Sequence, residues 1–256
     1  MADLKPQQYK DPRPAEFFDH YHERARTKDP DSMYELVRLV TTPVSLLIYR
    51  TRSIEVDNVP ASGPVILAAN HFSNLDHFLA AAWLRRKIRF LAKSQMFGKN
   101  PVLDAIYTHG GVFPVRRGHG DEEAFETMHA ILRRGGCLMI YCEGGRSRSG
   151  ELGEPRRGVG RAALETGAPV VPVAIHGSSG IRGWRRLDFP KVTIHYGQPF
   201  NLDVVEEPTR EQQQQAAAEI FARVRELYVE LERDGRATVI KRVREGEASA
   251  HSPSYS

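Results

Sequence analysis

Short apolar runs alternate with amphipathic ones along most of this chain. Residues 65–69, 88–92, 111–115, 138–141 and 170–175 are four to six residues long, rich in aliphatic side chains, and bounded by polar or glycine-bearing turns. Runs of that kind predict buried strands. Residues 53–56 and 191–196 add two more strand-like segments. Between them, residues 121–134 set Phe125, Met128, Ile131 and Leu132 at helical spacing and close on Gly135-Gly136, which is a helix with its stop signal. Residues 75–86, 101–107 and 159–165 read as further helices, and 209–233 as a long final one. Strands alternating with helices predict an α/β fold, a mixed and largely parallel sheet flanked by helices.

The first 52 residues depart from this alternation. Residues 14–26 predict a short helix carrying Phe17, Phe18 and Tyr21. Residues 33–50 then crowd nine apolar side chains, Leu36 to Tyr49, around Pro43, bracketed by Arg38, Arg50 and Arg52. The uncharged part, 39–49, is well short of the roughly 20 apolar residues a crossing helix needs. Two readings stand: a kinked helix covering the sheet, or a segment lying in a membrane interface with its arginines toward lipid phosphates. The N-terminus lacks the basic start and apolar stretch of a secretory signal. The expected organisation is an N-terminal helical segment over 1–52 and an α/β domain over 53–205. A C-terminal helix over 206–244 and a polar, disordered tail over 245–256 complete it.

Composition narrows the function classes. The chain has 256 residues with 41% hydrophobic content, enough for a sizeable core. Thirty-six Lys and Arg against 32 Asp and Glu give a net charge of +4, a mildly basic balance suited to phosphate-bearing ligands or an anionic membrane face. No nucleic-acid-binding module is legible, so no nucleic acid partner is expected. The two cysteines, Cys137 and Cys142, fit neither a metal knuckle nor a redox pair. Buried free thiols in a reducing, cytoplasmic setting are expected, with no metal and no cofactor. There is no G-x-S-x-G elbow and no Walker A loop. The degenerate fingerprint Gly158-Val159-Gly160-Arg161-Ala162-Ala163 follows a loop rather than a strand, which argues against dinucleotide binding.

Three clusters carry chemistry. Asn70-His71-Phe72-Ser73-Asn74-Leu75-Asp76 directly follows the apolar run 65–69, and open α/β folds place their chemistry at strand ends. His71 is suited to take a proton near neutral pH. Asp76 is suited to orient it and to stabilise the imidazolium, the base and orienter of a triad. Taken alone, the pair is equally a loop histidine beside a helix-N-terminal acid. The second cluster, Gly110 to Gly118, brings Arg116 and Arg117 to a strand end, where guanidinium forks suit phosphate oxygens. In the third, Tyr141-Cys142-Glu143-Gly144-Gly145-Arg146-Ser147, glycine amides can form an anion-binding hollow with arginine and serine donors beside it. A solvated strand edge and a plain basic loop are the alternatives for these two.

The order of the clusters is more specific than any one of them. Together with the strand Val171-Pro172-Val173, they make the chain resemble the lysophospholipid acyltransferase family that includes bacterial 1-acylglycerol-3-phosphate acyltransferases. The resemblance covers about residues 54–200. The family's Asn-His-x4-Asp block matches Asn70 to Asp76, and its Gly-x-x-Phe-Ile-acid-Arg block aligns with Gly111 to Arg117. Its Phe-Pro-Glu-Gly-Thr-Arg-Ser block appears as Tyr141 to Ser147, with Cys142 for proline and Gly145 for threonine.

The resemblance implies transfer of a fatty acyl group from acyl-CoA or acyl carrier protein to the hydroxyl of a lysophospholipid. His71 and Asp76 would be catalytic, without an acyl-enzyme intermediate. Arg117, Glu143, Gly144, Gly145, Arg146, Ser147 and Arg157 would be substrate-binding, with amides near Gly144 and Gly145 as oxyanion donors. Since helical pairs seat similar enzymes on membranes, it also favours the interfacial reading of residues 33–50 and a peripheral position on the cytoplasmic face. A thioesterase or lipid hydrolase, an acyltransferase for a non-phospholipid alcohol, and a non-catalytic lipid-binding scaffold are the alternatives.

Overall fold

The computed structural model describes residues 10–116, 121–147, 149–181 and 189–250, the last four as backbone alone. Strands β1 (Arg52–Ile54), β2 (Val65–Ala69), β3 (Ile88–Lys93), β4 (Val112–Val115), β5 (Cys137–Tyr141), β6 (Val170–His176) and β7 (Thr193–Tyr196) form one sheet. Their order is β1-β7-β6-β2-β5-β3-β4. All pairings are parallel except β6 with β7. The expected mixed, largely parallel sheet is therefore present. Its central strand, β2, is buried at every position, which is why the sequence there is an unbroken apolar run rather than an alternating one.

Alternation along the strands divides the core between two faces. Ile66, Ala68, Leu138 and Ile140 pack beneath α5 (Glu122–Arg133), α6 (Gly158–Thr166) and the first half of α7 (Arg210–Ala250). Val65, Leu67, Ala69, Met139, Val173 and Tyr196 pack on the other face, under α3 (Asp76–Ala81) and the segment that follows α2 (Ser32–Pro43). Gly160 lets α6 sit directly on α7, since a Cβ there would come within 2.1 Å of Gln213 O and 2.6 Å of Ala217 N. Cys137 and Cys142 are buried free thiols, and burial pushes the Cys137 thiol up to about 12.

Two elements differ from expectation. The helix expected over 75–86 stops at Ala81. The chain turns there and Arg86 reaches the carbonyls of Pro60, Gly63 and Gly135. The final helix continues to Ala250, so the expected disordered tail begins inside it, and 251–256 lie outside the described residues. Gly235, at φ 76° and ψ 154°, breaks that helix. Arg242 bonds to Asp234 and Glu230 across the break, and Val239 is buried against Ile54, Tyr228 and Leu231.

The N-terminal segment is helical. α1 (Asp19–Thr27) is seated by buried Phe18, Tyr21 and Ala25. Arg13 locks the stretch before it to Asp11 and to the carbonyls of Ser94 and Phe97. α2 widens into a π-helical turn over Val44–Ile48. Pro43, which has no N–H to offer the preceding turn, marks the change. Inward, Tyr34, Ser45 and Tyr49 are buried. Outward, Leu36, Leu39, Val40, Leu46 and Leu47 are exposed, Leu39 by 71% and Leu47 by 77%. α4 (Pro101–His109), beside α2, exposes Val102 and Leu103. No described helix is long and apolar enough to cross a membrane.

Candidate active site

Parallel strands bring their C-terminal ends to one edge, and every described candidate residue lies along it. β2 ends at Ala69, level with Tyr141 of β5 and Val173 of β6. Asn70 then leaves the ladder but completes it with its side chain. Its amide donates to Ile175 O (3.0 Å) and accepts from Ile175 N (2.8 Å). That substitution of side chain for backbone frees the main chain to turn at His71.

The turn closes on Asp76, the first residue of α3, which is fully buried. Its Oδ2 accepts from Phe72 N, Ser73 N and His71 Nδ1, each at 2.8 Å. A carboxylate only accepts, so the imidazole carries its proton on Nδ1 and presents the Nε2 lone pair. The His71 side chain keeps 12% of its surface exposed, which leaves a ring edge for a ligand. Its ring lies against Tyr141, with centroids 3.8 Å apart and planes 13° apart. Next along α3, burial foremost and then the His71 charge hold the His77 imidazole down to about 4.

The loop after β5 is tied to the histidine turn. Glu143 Oε2 accepts from His71 N (2.8 Å) and Oε1 from Gly153 N (2.6 Å). Burial raises its carboxyl above the ordinary range. Ser147 N donates to His71 O (2.8 Å), while its hydroxyl bonds within the loop to Glu151 O. Gly144 takes φ +66°, and its N–H closes a turn on Tyr141 O (2.9 Å).

These contacts revise several expectations. Glu143 is a brace between two loops, with both oxygens already accepting backbone amides. The Gly144 amide is occupied by its turn and is no free oxyanion donor, whereas the Gly145 amide has no partner among the described residues. Arg146 and Arg157 are both exposed. They line, with Gly144, Gly145 and Ser147, a groove of about 1350 Å³. Its floor is apolar, formed by Phe125, Met128, Ile140 and Val159, and Arg116, Arg156 and Arg210 stand along it too. Arg117 lies outside the described residues. His71 is not part of the lining and meets the groove through Tyr141 and Ser147.

Two contributors were not singled out from the sequence as site residues, Asn70 and Tyr141. Strand alternation was a signal for Tyr141, since it shares the face of Cys137 and Met139, and therefore that of Ala69 and His71. Asn70 stands in the family's Asn-His-x4-Asp block, but nothing local told what it bonds, since its partner is 105 residues away.

Residues 50–176 match the family model described as Acyltransferase. The chain is 29% identical over 136 residues to a chloroplastic 1-acyl-sn-glycerol-3-phosphate acyltransferase of Brassica napus, covering 52% of this chain and 39% of that protein. It is 31% identical over 131 residues to a probable 1-acyl-sn-glycerol-3-phosphate acyltransferase of Mycoplasma genitalium, covering 48% of each. The match thus spans less than half the length of these relatives. In fold it is similar to the crystal structure of the 1-acyl-sn-glycerophosphate (LPA) acyltransferase PlsC from Thermotoga maritima. The TM-score is 0.60 at 20% identity, over 82% of this chain and 88% of that one.

Proposed function

Residues 50–176 belong to the acyltransferase family, and we propose that this chain moves a fatty acyl group from acyl-CoA or acyl carrier protein to the hydroxyl of a lysophospholipid. The acceptor we propose is 1-acyl-sn-glycerol-3-phosphate, the substrate named for its relatives, and the product phosphatidic acid. The observation that carries the reading is the 2.8 Å contact of His71 Nδ1 with a fully buried carboxylate.

In this scheme His71 Nε2 takes the proton of the acceptor hydroxyl as its oxygen attacks the thioester carbonyl. Asp76 stabilises the imidazolium that forms. The tetrahedral intermediate collapses, the C–S bond breaks, and the imidazolium proton passes to the departing thiolate. General-base help of this kind contributes roughly 10²–10⁴ in rate, and the Gly145 amide is the candidate oxyanion donor. Arg146 and Arg157, with Arg117 as the family alignment implies, would hold the acceptor phosphate. The groove pairs an apolar floor with a mixed rim, Arg146, Arg156 and Arg157 beside Glu154, Glu206 and Glu207, and its guanidiniums are the donors that suit an acceptor phosphate.

The membrane surface is part of the same proposal. The exposed leucines of α2 and the π-turn lie on the His71 side of the sheet, beside Arg50 and Arg52. A third arginine, Arg236, donates to Arg50 O. No carboxylate pairs with any of these three arginines among the described residues. Such an edge suits docking on an anionic bilayer from the cytoplasmic side.

The test is an acceptor screen with radiolabelled acyl-CoA, comparing wild type with His71→Ala. Labelled phosphatidic acid from wild type alone supports the proposal. Free fatty acid whatever acceptor is supplied would identify a hydrolase instead.

A further inference from the structure

One hydrogen bond to Asp76 fixes the His71 ring at a single atom, Nδ1. A ring held at one point can still tilt about that contact. The second restraint comes from the other strand. Tyr141 is the last residue of β5, in register with Ala69, two residues before His71. Its ring lies nearly parallel to the imidazole, 3.8 Å centroid to centroid and 13° between planes. Asp76 thus restrains the imidazole in its plane and Tyr141 restrains it out of plane.

The stack also bears on charge. A cation over an aromatic face is stabilised by the ring quadrupole, more so when desolvated. Burial, reinforced by the nearby Asp76 and Tyr196, raises the Tyr141 phenol well above its usual range, so the ring is neutral while the histidine works. Its hydroxyl is shielded from solvent and has no hydrogen-bond partner among the described residues. The neighbouring His77, held down to about 4 by burial, adds no competing positive charge.

We propose that Tyr141 is a positioning residue of the acyl-transfer site, whose aromatic face holds the His71 imidazole in its reactive orientation and favours the imidazolium formed in the reaction. This rests on the acyl-transfer reading above. The working part is the ring face, and the hydroxyl is dispensable.

Two variants separate face from hydroxyl. Tyr141→Phe keeps the ring, and removing an unpaired buried hydroxyl is close to neutral for folding. Tyr141→Leu removes the ring while keeping an apolar side chain. Each is checked for folding by thermal unfolding. Acyl transfer is then followed from pH 5 to 9, and the His71 ring titration is followed by NMR without substrate.

Tyr141→Phe should keep the wild-type kcat and pH profile. In Tyr141→Leu, kcat should fall about tenfold with KM within about twofold, the loss of roughly 1 kcal/mol or more of cation–π support. The acid limb of its kcat/KM profile and its NMR titration should both move to lower pH by about half a unit to one unit. A folded Tyr141→Leu protein with an unmoved titration overturns the proposal. So does a Tyr141→Phe protein that falls as far as Tyr141→Leu. The NMR arm needs no turnover, so a wild type inactive in the acceptor screen defeats the acyl-transfer reading without touching this result.

Discussion

Replacing Asp76 by asparagine tests the core of the mechanism because it removes charge while keeping shape. Asp76 is fully buried, and its Oδ2 accepts three hydrogen bonds, from His71 Nδ1, Phe72 N and Ser73 N. An asparagine oxygen in the same place can still accept from the two backbone amides, so the turn should survive. What disappears is the negative charge beside the imidazolium. With charge centres about 4 Å apart and an effective dielectric near 20, that interaction is of order 4 kcal/mol. At about 1.4 kcal/mol per decade it corresponds to a fall of roughly 10³ in kcat. Asp76→Ala should behave differently. It strands two buried N–H groups at about 1–3 kcal/mol each, so its unfolding temperature should drop by several degrees. The assay is the initial rate of labelled acyl transfer to lysophosphatidic acid, with calorimetry on the same samples. A folded Asp76→Asn enzyme within tenfold of wild type would refute the charge argument.

Other consequences concern stability and the membrane. His22 is 1% exposed and bonded to Thr127 through Nδ1, and burial lowers its imidazole from 6.5 to about 4. The unfolded chain therefore takes up this proton first, so stability falls as pH drops from 6.5 toward 4, by up to about 3 kcal/mol. His22→Asn, which does not titrate, should lose less over that window in pH-dependent denaturant melts, and parallel curves for the two proteins would refute the assignment. Gly160→Ala drives a methyl into the α7 backbone, so it should lower stability by about 1–3 kcal/mol or more, and an unchanged melting temperature would mean that α6 and α7 do not touch there. Leu39→Glu with Leu47→Glu should leave folding intact, since both side chains are exposed, but abolish sedimentation with anionic vesicles, and undiminished binding would remove this face from the membrane reading. The double variant is cleaner than deleting residues 1–50, because that deletion strips buried Phe18 and Tyr21 from the core.

The sequence by itself determined the strands, the fold class and the spacing that lets His71 meet Asp76. Local patterns suffice for these. A strand buried on both sides must be apolar throughout, as 65–69 is, and an imidazole five positions before a carboxylate can be closed by one turn. The arginine- and glycine-bearing strand ends were legible for the same reason, because parallel strands carry them to one edge.

Tertiary structure alone decided the rest. Whether Glu143 met substrate or loop depended on Gly153 and His71 arriving on either side of it. The place of Asn70 depended on β6 lying next to β2, although the two strands are some hundred residues apart in the chain. Tyr141 became a platform for His71 only because β5 inserts between β2 and β3 in register with Ala69. Outward leucines on α2 could be told from inward ones only once Tyr34, Ser45 and Tyr49 had taken the buried side. Each of these is a contact between segments far apart in the chain, and hydrophobic periodicity, a property of neighbours, holds no information about which distant partner a residue will meet.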